Sequence, residues 1–296
     1  MSVIDCQKLT KQYKEKVALN AMTLSIEENK IIGLIGRNGA GKTTFLKMCA
    51  GLLKPTSGKI KIWNEKVFDN LSVLSKVILV DEEIQYALGL KLNDILYTAR
   101  YFYPKWNETF ARKLLDYFDL KGKYTYSKLS RGMKTQFNII MGLSSRMPLT
   151  LFDEPTSGLD IAVRKEFYRI LLKDYMNHPR TIILSSHLIS EIENLLEEIV
   201  LIKDGELVLH ASTDQLQKYG ILLNGNKDIL EQFTKTKSVL CKEEMGKLVK
   251  IGIKNDLTQG DYNFLKEHRV NISNLNTEDV CIYLTKSNKE VKFDGF

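Results

Sequence analysis

The chain has 296 residues, 44% of them hydrophobic and 27% charged, with a formal net charge of +7. This length accommodates one large domain and a smaller one, and this balance supports a sizeable buried core and excludes global disorder. From residue 221 onward 12 Lys and Arg face 11 Asp and Glu, so the positive excess lies upstream, with no dense basic run to mark a nucleic-acid or anionic membrane surface.

The start, MSVIDCQKLTKQY, lacks the charged-then-apolar order of a secretory signal. No stretch approaches the roughly 18 consecutive apolar residues of a membrane helix. A cytoplasmic chain is expected, with any membrane role exerted through a separate partner. KIIGLIG (30–36) reads as a short buried strand ending in glycine, followed by a helix over 42–50. From about 86 to 140, LNDILYTARYFY and NETFARKLLDYFDL carry apolar residues at helical spacing on either side of Pro104, a helical subdomain inserted into a sheet domain. LTLF (149–152) and TIILS (181–185) are further buried strands, with a helix over about 162–176 between them. Strands alternating with helices imply a mostly parallel sheet covered on both faces. IVLIKDGELVLHAS reads as a hairpin turning at Asp204-Gly205, and DQLQKYG as a short helix closed by Gly220. Beyond it KLVKIGIK and VCIYLTK read as strands around a helix, DYNFLKEH. The expected domains are 1–215 and a small α+β domain over 216–296. Cys6, Cys49, Cys241 and Cys281 are too scattered for a zinc site or disulfide framework and read as thiols in a reducing compartment.

Two constellations carry chemistry. Gly36-Arg-Asn-Gly-Ala-Gly41-Lys42-Thr43 fits the P-loop pattern and lies between a strand and a helix, as the pattern requires. Gly36, Gly39 and Gly41 let the backbone bend so that its N–H groups converge on phosphate oxygens, with Asn38 and Ala40 in the same loop. The helix N-terminus adds its dipole, Lys42 a full charge for the β- and γ-phosphates, Thr43 a hydroxyl for magnesium, and Thr44 a hydroxyl for an α-phosphate. The second constellation is Leu149-Thr-Leu-Phe-Asp153-Glu154, an apolar strand ending in two acids. Asp153 suits a magnesium shell. Glu154, alternating to the other side of the strand, suits a general base. His187, after the TIILSS strand, is positioned to bond a γ-phosphate and sense its loss, although a lone histidine there also reads as structural.

Taken together, these elements resemble the ABC ATPase family over roughly residues 1–215. Gly36–Thr43 match its Walker A motif, Leu149–Glu154 Walker B, Ser157-Gly-Leu-Asp160 the D-loop, and His187 the switch histidine. Leu129-Ser130-Arg131-Gly132-Met133 resembles the signature motif, usually LSGGQ. Tyr13, with Ala18-Leu19 behind it, matches the aromatic that stacks on adenine. The resemblance implies a P-loop NTPase α/β fold with a mostly parallel core sheet, an antiparallel β subdomain and an inserted helical subdomain. It also implies ATP and magnesium as cofactors, Asp160 at the nucleotide, and a second cassette whose Ser130 and Gly132 grip the γ-phosphate. Arg131 in place of glycine either weakens that grip or adds charge to it. Aligning VILVDEEIQY with the family puts Glu82 at the usual Q-loop glutamine, with Glu83 as the alternative, and a glutamate there still ligates magnesium.

The nearest subgroup resembles the ATPases of ABC-2-type exporters in Gram-positive bacteria. Phe102-Tyr103-Pro104-Lys105-Trp106 and Ser130-Arg-Gly-Met133 resemble segments associated with peptide-antibiotic and cytolytic-peptide export; the aromatic cluster itself reads as subdomain core, and the resemblance also implies that this helical region lies near the coupling surface for the membrane subunit. The implied function is the ATP-hydrolysing motor of an exporter, acting with an integral membrane subunit on the inner face of the cell membrane, as a homodimer or mixed pair and without nucleic acid. An importer ATPase, or a soluble ABC ATPase acting on ribosomes or DNA, are the other readings.

Overall fold

The computed structural model describes residues 2–286, in two compact units. Of these, the first comprises residues 2–187 and 192–210, and the second residues 188–191 and 211–286.

In the first unit, β1 (Ser2–Tyr13) and β2 (Lys16–Glu27) form a long antiparallel ribbon. β3 (Ile31–Ile35) and α1 (Lys42–Cys49) follow, then β4 (Ser57–Ile62), β5 (Glu65–Lys66), the one-turn α2 (Leu71–Leu74) and β6 (Val77–Val80). Three helices come next, α3 (Leu92–Phe102), α4 (Glu108–Tyr117) and α5 (Arg131–Ser145). β7 (Leu149–Phe152), α6 (Ile161–Asn177), β8 (Thr181–Ser186), β9 (Glu198–Lys203) and β10 (Glu206–Ser212) complete the series.

The strands form an antiparallel sheet, β2-β1-β4-β5, and a six-stranded sheet, β10-β9-β3-β8-β7-β6. In the larger sheet β3 pairs in parallel with both β8 and β9, and β7 with both β6 and β8. All five residues of β3 are buried, as a parallel strand covered on both faces must be. α1 packs Phe45, Leu46, Met48 and Cys49 into one core with Leu24, Ile26 and Ile62 of the antiparallel sheet and Leu34, Ile183 and Val200 of the parallel one. Each such fully buried apolar side chain stabilises by about 1.5–3 kcal/mol. The turn between β3 and α1 therefore has a rigid element at each end. The Asp204-Gly205 hairpin forms as expected, with φ +49 and +82 at the two turn residues.

In the helical subdomain Asn107 caps α4, its Oδ1 accepting from Phe110 N at 2.9 Å. α5 crosses β6 and β7 so closely that a Cβ on Gly142 would lie 2.6 Å from the Val80 side chain and 2.8 Å from the Phe152 ring. The expectation that the 102–106 aromatic cluster is subdomain core is corrected. α3 buries Leu92, Ile95, Leu96 and Ala99, at helical spacing, whereas Phe102 is 70% exposed and Tyr103 and Trp106 are half-buried.

The second unit holds α7 (Thr213–Gln217), β11 (Gly220–Asn226), α8 (Lys227–Phe233), β12 (Val239–Met245), β13 (Leu248–Lys254), α9 (Gln259–Glu267), β14 (Asn271–Asn274) and α10 (Thr277–Thr285). Its sheet, β12-β13-β11-β14, is antiparallel throughout. Ile221, Leu223, Val249, Ile251 and Ile253 of the sheet bury against Leu230 of α8 and Leu265 of α9. Two expectations fail here. VCIYLTK is the body of helix α10. Asn276 Oδ1 caps it by accepting from Asp279 N at 2.7 Å, Glu278 and Asp279 occupy its first turn, and Thr277, Val280, Cys281 and Thr285 bury at helical spacing. Gly220 does not close α7, which ends at Gln217; it opens β11, where a Cβ would meet Leu275 and Leu240 at 3.1 and 3.2 Å.

Candidate nucleotide site

The turn leaving β3 is the structural origin of the site. Gly39 and Gly41 sit at φ +83 and +109, where L side chains are strained. A Cβ on Gly41 would also lie 2.5 Å from Ala18 O. The loop opens on a cavity of about 370 Å³, lined by Tyr13, Asn38, Gly39, Gly41, Lys42, Thr43 and Thr44, together with Lys16, Ala18 and Glu154. Gly36 lies beneath the loop, where a Cβ would meet Ile202 O at 2.5 Å, and Ala40 is buried. Tyr13 is 43% exposed, with the Lys11 ammonium 5.2 Å from its ring centroid.

Lys42 is only 5% exposed, and its charge is fully engaged. Its ammonium donates to Gly36 O at 2.7 Å and lies 3.1 Å from Glu154 Oε1. The other oxygen of the same carboxylate, Oε2, is 3.0 Å from His187 Nδ1. One carboxylate thus bridges the P-loop lysine and the histidine after β8. A buried ammonium is costly without such a partner, and a triphosphate in the cavity offers it an equivalent anionic one.

Alternation along a strand is not what orients Glu154. β7 ends at Phe152, and Glu154 adopts φ +44, a left-handed conformation that costs a non-glycine residue roughly 1–3 kcal/mol. A residue missed in the sequence reading holds this turn together. Ser185, at the end of β8, donates from Oγ to Asp153 Oδ1 at 2.6 Å and accepts from Glu154 N at 2.9 Å. A hydroxyl at the end of the TIILSS strand was its only sequence signal. Asp153 is buried, so this bond fixes its rotamer.

Four expected residues lie outside this group. Ser130 Oγ caps α5 by accepting from Met133 N at 3.3 Å, and Asp160 Oδ1 caps α6 by accepting from Val163 N at 2.9 Å. Gly132 lies beside the Ser157–Asp160 turn; its Cβ would be 3.6 Å from Gly158 O. Glu82 is bonded to Arg131, and the alternative Glu83 pairs with Lys47 at 2.6 Å.

The ABC transporter family model matches residues 19–157. The bacitracin transport ATP-binding protein BcrA of Bacillus licheniformis is 32% identical over 73% of this chain and 72% of its own length. The lantibiotic transport ATP-binding protein SrtF of Streptococcus pyogenes is 30% identical over 75% of this chain and 96% of its own. Among solved structures, an ATP-binding subunit of an ABC transporter superposes with a TM-score of 0.66 at 24% identity, covering 73% of this chain and 92% of that one. A dimeric cassette in a post-hydrolysis state bound to ADP and Pi gives 0.62 at 24% identity, covering 71% and 98%.

This chain belongs to the ABC transporter family.

It is an ATP-binding, ATP-hydrolysing transporter subunit with the P-loop ABC ATPase fold. For an ABC cassette the geometry has a clear chemical sense. The P-loop cavity supplies backbone N–H groups and one buried cation, and an acid lies at its rim with a histidine behind it. Oxygen donors from Thr43, on the cavity wall, and Asp153 are of the hard type that suits a divalent cation carrying a nucleotide. Among the described residues no helix is long and apolar enough to cross a membrane.

Proposed function

We propose that this ABC ATPase is the motor of a bacterial exporter of amphipathic or antimicrobial peptides. In this reading it acts as a pair of cassettes on the inner face of the membrane, coupled to a separate membrane subunit. The names of its bacitracin- and lantibiotic-transport relatives support the substrate class. The observation that carries the catalytic reading is the Glu154 carboxylate, held 3.1 Å from Lys42 and 3.0 Å from His187 at the rim of the P-loop cavity.

Lys42 and the loop N–H groups bind the β- and γ-phosphates, and Tyr13 offers its ring to adenine. Once a phosphate satisfies the Lys42 charge, Glu154 is released to accept a proton from the attacking water. His187 orients Glu154 through Nδ1 and senses the γ-phosphate. Magnesium, when bound with ATP, neutralises charge on the phosphate oxygens. Thr43, Asp153 and Glu82 are the residues assigned to hold it. Ser130 and Gly132 of a second cassette close the site from the opposite side, and Asp160 faces that junction. A two-fold pair makes two such sites from one motif set.

The test uses Glu154→Gln. With ATP, this variant is expected to run as a dimer in size-exclusion chromatography and to return to a monomer when ATP is removed. A variant that binds ATP yet remains monomeric at every concentration would remove the paired site. Mild-detergent copurification identifies the membrane partner, and stimulation of the complex's ATPase by an amphipathic peptide tests the cargo.

A further inference from the structure

Two departures from the family pattern, Glu82 for glutamine and Arg131 for glycine, meet in space. Both Glu82 carboxylate oxygens accept from Arg131 Nη2, at 2.7 and 2.8 Å. The same nitrogen donates to Ser157 Oγ at 3.2 Å. A single guanidinium therefore ties the segment after β6, the first residue of α5 and the turn before α6. The arginine stem also lies along that turn, with Nε and Cδ 3.6 and 3.7 Å from where a Gly158 Cβ would stand.

The surroundings show what this contact does. Helix stability is not its purpose, because a cation in the first turn of α5 sits at the wrong end of the helix dipole. The segment that Arg131 meets in space is an acidic run, Asp81-Glu82-Glu83. Glu83 is paired with Lys47 at 2.6 Å, and Asp81, half-buried near Asp153, is raised by burial. Glu82 would otherwise add another negative charge beside the metal-side acids. Partial burial pushes its carboxyl up, but hydrogen bonds from Arg131 and Ser157 hold it below the usual carboxylate range. A glutamine–glycine combination has neither charge and needs no such partner.

We propose that Arg131 is a positioning residue that holds the Glu82 carboxylate against the Ser157 turn, and that this ion pair must open before Glu82 can serve the metal side of the site. The pair sets how strongly nucleotide binding depends on divalent cation, and links the signature helix to that side. This rests on the reading of Glu82 as a magnesium ligand.

The experiment measures equilibrium binding of a fluorescent ATP analogue to the full chain against magnesium concentration, with an EDTA control. Wild type is compared with Arg131→Gly, Arg131→Lys, Glu82→Gln and the Arg131→Gly/Glu82→Gln double variant. Arg131→Gly should lower the magnesium midpoint about 2- to 5-fold, the scale of one exposed ion pair. Arg131→Lys, which keeps the charge but on a shorter stem with a more strongly hydrated head, should fall between it and wild type, and it also serves if the glycine variant folds poorly. Glu82→Gln should raise the midpoint, and in that background Arg131→Gly should have no further effect. Equal shifts from Arg131→Gly in both backgrounds would overturn the clamp while leaving Glu82 as a ligand. A further variant, Glu82→Ala, leaves no oxygen ligand at this position, and no shift from it would remove Glu82 from the metal, and the clamp with it.

Discussion

The two units solve different physical problems. The first stores strain and buried charge where chemistry is needed: φ +109 at Gly41, φ +44 at Glu154, and a lysine only 5% exposed. The second is a four-stranded antiparallel sheet with helices, and its ionic contacts lie at its surface. Lys242 pairs with Glu231 and Glu244, and Lys237 with Asp261, all on side chains open to solvent to some degree. Buried, strained polar groups in a native fold point to function, whereas exposed pairs contribute little to stability. The contrast teaches that the candidate site draws its strain and buried charge from the ends of β3, β7 and β8.

The sharpest way to break this contrast is Glu154→Gln, which should lower kcat by about 10²–10⁴-fold, as expected on losing a general base. Unchanged steady-state turnover would take Glu154 out of that role. Lys42→Ala should weaken ATP binding on the order of 10- to 100-fold, the scale of a charged hydrogen bond; an unaltered affinity in titration calorimetry would count against the phosphate cradle.

Ile251→Ala probes the other side of the contrast. Ile251 is 1% exposed in the second unit's core, and its truncation should cost about 2–5 kcal/mol of that unit's stability. ATP affinity should not change. A parallel loss of nucleotide binding would mean that the units are energetically inseparable.

The smallest effect concerns Asp261. Its backbone and side-chain bonds with Thr258 and its Lys237 contact lower its carboxyl from 3.8 to about 2. A depressed folded-state value means that its stabilisation is present above 3.8 and is lost as pH falls toward 2. Asp261→Asn should flatten acid unfolding of the second unit in that window, with under about 1 kcal/mol lost at neutral pH. A variant with the wild-type acid profile would assign acid sensitivity elsewhere.

The segments of the candidate site were legible because each is local. β3, the glycine turn and α1 are consecutive, so the P-loop could be read from one stretch of sequence, and the apolar runs of β7 and β8 stood out in the same way. The second unit was less legible. VCIYLTK looked like a strand because Val, Ile and Tyr favour sheets, yet Asn276 with two acids behind it was a helix start, and burial at helical spacing decided the outcome. Phe102 looked like core by its type, but its place on α3 turned it to solvent.

By itself the sequence determined which residues are candidates to bear the chemistry, since glycine freedom, a lysine charge and strand-end acids are properties of short segments. Only the tertiary structure decided their partners. Lys42 meets Glu154, Asp153 meets Ser185, and Glu82 meets Arg131 across separations of 112, 32 and 49 residues. Contacts of that range form only when strands and helices from distant parts of the chain pack into one sheet layer, and no local pattern encodes which charges will face each other there.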